Sequence, residues 1–268
     1  MTTPMLLVLA ASSAFAGERI AVDVPEPSGI DFDRDGGRVF VVDDGGELWV
    51  FDEDYNELDV FDLGGDLEGV DYLPRHDQLL VAVEGEESLL LVDPDTGEVL
   101  SSQDIPRTFQ GETVMAAGGN GIETLTVVGR RIFVANQSFD SDDTTDGSVL
   151  AELRIRPDGA IQLVDVHPLP ILDVAGSLYS RPSGELFLMS DNDNRVYPLS
   201  LDVLDQLPTG APVPAEAMRP FVVPGEDQEG ICLIHGELVI AQDSGDLYNA
   251  GSLKWLMSPR GQLSTMLQ

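Results

Sequence analysis

Apolar residues along this chain fall in short runs of alternating or nearly continuous hydrophobicity, five to eight residues long, broken by Gly, Asp, Asn and Pro. That is the period of β-strands, not of helices. In the first such group, residues 28–32 are followed by the turn Asp33-Arg34-Asp35-Gly36-Gly37, and then by residues 38–44, Arg38-Val39-Phe40-Val41-Val42 ending in Asp43 and Asp44. Gly45-Gly46 turns the chain into residues 47–52, and residues 58–63 form a fourth run. Four strands joined by hairpin signals make one antiparallel unit.

The pattern then repeats. The second unit has strands at 68–72, 78–84, 88–93 and 98–105, and the third at 123–127, 131–137, 148–155 and 161–166. A fourth has 175–179, 185–191, 195–199 and, after an insertion, 221–223; a fifth has 229–233, 237–243 and 252–257. Sixteen residues separate Ser28 from Asp44, Glu68 from Glu84 and Ala175 from Asp191, and fourteen separate Glu123 from Gln137 and Glu229 from Asp243. A two-residue difference shortens a hairpin without turning a strand over, because side chains alternate with period two. Five such units predict an all-β, five-bladed β-propeller. Residues 20–24 resemble the fourth strand of a unit and would complete the last blade, removing a free sheet edge. Residues 261–267 compete for that place. Helix is expected only as one or two turns over residues 201–207.

Residues 5–16 form a small, apolar run too short to span a bilayer, and Ala14-Phe15-Ala16 before Gly17 fits a cleavage site. Residues 1–16 are therefore expected to be a signal peptide, despite lacking Lys or Arg, and residues 17–268 a single propeller domain. The expected location is secreted, periplasmic or extracellular. Cys232, the sole cysteine, excludes an intrachain disulfide and a zinc–cysteine site, and its apolar strand makes it a buried inert thiol.

Charge changes the picture most. Forty-eight acidic residues face 14 basic ones, a net charge of −34, and Lys254 is the only lysine. Such a surface repels phosphate backbones and anionic lipid, so neither nucleic acid nor a membrane surface is an expected partner, and a monomer is expected. Much of the charge reads as a solvated acidic face.

In a propeller the first strand of each blade lines the central channel. The loops entering it open on the same face as the loops leaving the second strand. That frame predicts two rings at one mouth. The inner is Ser28, Glu68, Glu123, Ala175 and Glu229; the outer is Asp44, Glu84, Gln137, Asp191 and Asp243. Carboxylates about 5 Å apart at an effective dielectric near 20 repel by roughly 3 kcal/mol per pair. Raised pKa values, a neutralising base or a bound cation would relieve this. Hard oxygen ligands without Cys or His favour Ca²⁺ over Zn²⁺. The alternative is a wet acidic channel, with carboxylates capping backbone N–H groups at strand starts.

Glu26-Pro27-Ser28-Gly29-Ile30, Asp66-Leu67-Glu68-Gly69-Val70, Asp227-Gln228-Glu229-Gly230-Ile231 and Val41-Val42-Asp43-Asp44 resemble the SdiA-regulated family of secreted bacterial β-propellers. The resemblance runs from about residue 20 to 256 and implies a five-bladed propeller outside the cytoplasm without an assigned activity. The ring order is also similar to the axial calcium ring of calcium-dependent apyrases. That likeness implies Ser28, Glu68, Glu123 and Glu229 as metal ligands. It departs at Ala175, where a hydroxyl is expected, with Ser177 two residues on. It stops at the ring, so nucleotide hydrolysis is not implied.

Other candidates rank lower. Asp140, Asp142, Thr144 and Asp146 place oxygens at alternate positions and could form a second metal loop, but the twelfth residue from Asp142 is Leu153, so this is not an EF-hand. Asp191 to Asn194 is a similar acidic run. His167 could face the mouth, while His76 and His235 fall on the opposite face. Arg107, in the loop entering the third unit, could meet an anionic ligand. No Gly-x-Ser-x-Gly elbow is present. Aromatic platforms for sugars are scarce, with Trp49 and Trp255 expected in third strands. The leading expectation is a non-enzymatic binding or scaffold module with axial calcium; the second is a calcium-dependent hydrolase of phosphate or other esters, with Asp44 or Asp243 as base.

Overall fold

The computed structural model describes residues 17–115, 117, 121–137, 147–225 and 227–258. The leader, the acidic loop holding Asp140, Asp142, Thr144 and Asp146, and residues 261–267 lie outside the described residues.

A short strand, β1 (Glu18–Ala21), precedes the first blade, which holds β2 (Pro27–Asp33), β3 (Arg38–Asp43), β4 (Glu47–Asp52) and β5 (Glu57–Asp62). The second has β6 (Asp66–Leu73), β7 (Gln78–Glu84), β8 (Ser88–Val92) and β9 (Val99–Asp104). A hairpin, β10 (Thr108–Phe109) and β11 (Glu112–Thr113), fills the loop into the third, which has β12 (Ile122–Val128), β13 (Arg131–Asn136), β14 (Val149–Ile155) and β15 (Ile161–Pro168). The fourth has β16 (Val174–Ser180), β17 (Glu185–Ser190), β18 (Arg195–Ser200) and β19 (Phe221–Val222), with the helical turn α1 (Leu201–Leu204) opening its insertion. The fifth has β20 (Gln228–Ile234), β21 (Glu237–Gln242) and β22 (Asp246–Ser252).

All pairings within blades are antiparallel, and β1 pairs with β22, with Glu18 opposite Asn249 and Ala21 opposite Asp246. The N-terminal strand thus completes the fifth blade. The third strand of that blade corrects the sequence expectation. It runs over Asp246–Ser252, and the helical turn α2 (Leu253–Leu256) follows. Trp255 therefore belongs to α2. Gly245, at φ +92°, makes the turn into β22 tight and brings the strand in early.

The second strands are the most continuously apolar, and they are buried through nearly their whole length: Val39 to Val42, Leu79 to Val83 and Leu186 to Met189. They lie mid-blade, covered on both faces by neighbouring blades, which explains why they lack alternation. The outer strands β5 and β9 are mostly exposed.

The inner strands β2, β6, β12, β16 and β20 touch one another in cyclic order, closing the ring. Specific contacts lash them together. Asp31 accepts the Tyr72 N–H at 2.6 Å, and Asp71 accepts the Val127 N–H at 2.8 Å. Ser177 Oγ meets Thr124 Oγ1 at 2.8 Å and Thr126 Oγ1 at 2.7 Å. The buried Cys232 thiol lies 3.6 Å from Asp31 Oδ1, and burial pushes its pKa well up, so it is an inert member of this set. Close approach also demands glycine: a Cβ on Gly69 would sit 2.5 Å from the Leu125 nitrogen. Replacing Gly69 with Ala is expected to destabilise the protein by about 1–3 kcal/mol, as overpacking against backbone does. Denaturant unfolding measures this; an unchanged midpoint would show that these strands can part without cost.

Candidate functional site

Each inner strand carries a β-bulge at its ring position. In β2 the register slips between Pro27 and Gly29, leaving Ser28 extra; in β12 it slips between Ile122 and Thr124, leaving Glu123; in β16 between Val174 and Gly176, leaving Ala175. In β6 and β20 the slips span Leu67 to Val70 and Gln228 to Ile231, around Glu68 and Glu229. A bulge re-aims a side chain. Five in register turn five side chains toward one axis.

They open into one cavity of about 260 Å³, lined by Ser28, Asp44, Asp66, Glu68, Glu84, Glu123, Gln137, Asp173, Asp191, Glu229 and Asp243. Every oxygen-bearing member of both expected rings lines it. Nine of the eleven lining residues are carboxylates, and none is basic. Ala175 lines only a smaller cavity beneath it. Asp66 and Asp173 are two lining residues that the ring pattern missed. A signal was there: an acid stands two positions before the ring residue in four of five units, as Glu26, Asp66, Asp173 and Asp227.

Some of these carboxylates have structural employment. Glu84 Oε1 accepts the Gly121 N–H at 2.8 Å, and Asp191 Oδ1 accepts the Gln228 N–H at 2.8 Å, each pinning the entry of the next blade. Gln137 Nε2 donates to Asp173 at 2.8 Å. Ser28 donates a hydrogen bond to Asp44. Glu68 is different. It is 8% exposed, and its hydrogen-bonding neighbour is Asp66, another acid. Among the described residues the buried Asp66 Oδ1 and Gln137 Oε1 have no hydrogen-bond partner. Ligand oxygens of Asp44, Asp66 and Glu68 all lie within 4.8 Å of one another.

The electrostatic consequence is uniform. Burial, then the charges of Glu123, Asp44, Asp66 and Glu84, holds the Glu68 carboxyl far above its ordinary range. Burial and then Glu84, Glu229 and Asp173 do the same to Glu123. Glu229 is pushed up to about 8 by burial and then by Asp191, Asp173, Asp243 and Asp44. Asp44, Asp66 and Asp191 are raised too, burial first.

The remaining candidates fall away from the mouth. His167 is 3% exposed, with Nδ1 2.8 Å from the Ala211 carbonyl oxygen; it ties β15 to the insertion and does not line the mouth. His76 and His235 are exposed in first-hairpin turns, His235 beside Glu53 at 3.1 Å. Arg107 reaches the Met115 carbonyl within its own loop. Within the run from Asp191 to Asn194, Asp191 lines the mouth, while Asp193 accepts from Arg195 at 3.2 Å and also from Tyr197.

Fold and mouth together define a five-bladed β-propeller with an acidic axial site. No protein-family model matches the sequence, and no curated protein matches it. The structure is similar to that of a glutaminyl cyclase from Myxococcus xanthus, with a TM-score of 0.56 and 14% identity over 87% of this chain and 92% of that one. It is also similar to a luciferin-regenerating enzyme, with a TM-score of 0.54 and 13% identity over 84% of this chain and 73% of that one. At these identities the likeness is one of fold. Among the described residues no helix is long and apolar enough to cross a membrane.

The raised carboxyl groups fix the sign of a pH dependence for metal-free protein. Between the unfolded value near 4.3 and the folded Glu229 value of about 8, the folded state keeps a proton that the unfolded state has lost. Stability therefore falls as pH rises through that window. Melting temperatures in chelator should decline from about pH 5 to 8, and Glu229→Gln should make the decline shallower. An equally steep decline in the variant would show that the mouth is not its origin.

Proposed function

We propose that this protein is a calcium-binding propeller of the SdiA-regulated kind, acting outside the cytoplasm as a monomeric binding or scaffold module without a nucleic-acid partner. The observation that carries the ion is Glu68. Glu68 is nearly buried and sits with Asp66 and Asp44, and burial among those acids favours either its protonated form or a bound cation. The donor set is all oxygen, with several carboxylates and one hydroxyl, which suits the 6–8 ligands of Ca²⁺ better than the hydrated octahedron of Mg²⁺. Ser28, Glu68, Glu123 and Glu229 are the ring ligands. The close placing of Asp44 and Asp66 beside Glu68 adds both to the set. The expected leader fits an extracellular or periplasmic setting.

A second reading is a calcium-dependent hydrolase of phosphate or other esters. What favours it is volume: about 260 Å³ exceeds the space of one ion and leaves room for a bound molecule. Two of the solved structures it resembles bear enzyme names, a glutaminyl cyclase and a luciferin-regenerating enzyme. In this reading Glu68, Glu123 and Glu229 hold the ion, which neutralises the mouth toward an anionic substrate. Asp243 or Asp44 is the base; the Ser28 hydroxyl already engages Asp44.

Calorimetric titration of Ca²⁺ into chelator-treated protein should give saturable heat and a raised melting temperature. At one hundred times Kd the gain is about 2.7 kcal/mol. Glu68→Gln and Asp66→Asn should each weaken binding at least tenfold. Absence of heat and of any thermal shift in the wild type would sink the calcium reading. Phosphatase, phosphodiesterase and esterase assays with Ca²⁺ separate the two classes: turnover lost in a folded Glu123→Gln variant would establish the enzyme.

A further inference from the structure

Directly beneath the acidic mouth lies a second cavity on the axis, of about 10 Å³. Its lining includes Ser28 and Glu68, which also face the mouth, together with Thr124, Ala175 and Ser177. That volume is the space of one water molecule, and a buried water needs two to four polar partners. Ser28, Glu68, Thr124 and Ser177 are the polar side chains that line it.

All five inner strands border the cavity, and two of the residues that line it, Thr124 and Ala175, break the fivefold pattern. Four bulges deliver an oxygen to the axis, from Ser28, Glu68, Glu123 and Glu229; the bulge in β16 delivers the methyl group of Ala175. Two residues on, Ser177 lines the same cavity. Its hydroxyl is held between Thr124 Oγ1 at 2.8 Å and Thr126 Oγ1 at 2.7 Å, so it is fixed and cannot swing up into the ring itself. Thr124 occupies the position after the bulge, where the other four inner strands carry Gly29, Gly69, Gly176 and Gly230. Blades three and four therefore depart from the pattern together, at facing positions. One lacks a ring oxygen, and the other brings a hydroxyl to the space below it.

We infer that a water molecule in this axial cavity, held by Ser177 and Thr124, supplies on the blade-four side the ligand oxygen that Ala175 lacks. The inference rests on the axial ion proposed above. Ser177 and Thr124 are positioning residues: they touch the water and not the ion. The water would donate one lone pair to the ion, and its two hydrogens and remaining lone pair are left for the hydroxyls and Glu68. Ala175, small and apolar, leaves the space that the water needs.

A double-mutant cycle read by Ca²⁺ calorimetry tests this. Ala175→Ser brings a hydroxyl into the ring and displaces the water, so Kd should tighten about three- to tenfold, on the order of 1 kcal/mol. Ser177→Ala removes a holder of the water and should weaken wild-type binding by a similar factor. In the Ala175→Ser background, the same Ser177→Ala change should leave Kd within about twofold, because the water is already gone. A purely structural role for Ser177 would lower the chelator melting temperature and shift Kd alike in both backgrounds, and that additivity would overturn the inference. So would an Ala175→Ser variant that folds and binds with unchanged Kd. Wild-type protein that binds no Ca²⁺ would remove the ion and the inference with it, an outcome separable from binding with an additive cycle.

Discussion

Like-charge repulsion at the axis is the constraint against which the rest of this structure is set. Most of the formal charge of −34 lies on solvated surface, where water and salt make each pair cheap. The mouth is different in kind. There nine carboxylates share one cavity, several of them largely buried, and no base lines it. A fold that merely tolerated acid would place Arg among them. The chain has thirteen Arg, and among the described residues their ion pairs lie elsewhere, such as Arg38 with Asp33, Asp77 and Asp95, and Arg131 with Glu152 and Asp205. The neutralising charge is thus spent away from the axis, which leaves protons or cations to balance the mouth.

That repulsion has to be overcome by the joints between blades, and these are concentrated on the same inner strands. Asp31 and Asp71, three residues beyond the ring positions of β2 and β6, each accept a backbone N–H from the next blade. Glu84 and Asp191 do the same at the mouth. Each such bond favours the charged form, yet burial still raises the pKa of Asp31, Asp71, Glu84 and Asp191. Acids of one type therefore do two jobs. Asp31 and Asp71 tie neighbouring blades together, Glu68, Glu123 and Glu229 at the bulges line the mouth, and Glu84 and Asp191 do both.

Much of this was legible in the residues. The five units were visible because turns and apolar runs recur at fixed spacing, and the mouth because an acid recurs at the same place in each unit. The bulges were not visible: a bulge is one extra residue in a pairing, and a strand's own residues do not reveal its partner's register. The β22 boundary was misplaced for a similar reason. Tyr248, Asn249 and Ala250 look weak as a strand, while Leu253 to Leu256 look strong, yet Gly245 starts the strand early and the apolar residues pack as a helical turn. Asp66 and Asp173 stand before the apolar runs that mark the strands in the sequence, yet a site at a channel mouth draws on the residues entering a strand as much as on the strand itself.

The departure of blades three and four from the repeat bears on how such a ring evolves tolerance. Fivefold repetition would supply five identical ligands, and five carboxylates around one divalent ion leave excess charge. Ser28 and Ala175 lower that excess at two positions, each by a different route: Ser28 keeps an oxygen without a formal charge, and Ala175 gives up the oxygen altogether. Three ring carboxylates remain, on blades two, three and five. Asp44 and Asp66 stand beside Glu68, so repulsion persists, and burial with neighbouring acids holds Glu123 and Glu229 above the ordinary carboxylate range. The two substitutions that look like defects in the repeat therefore each lower the repulsion at the axis.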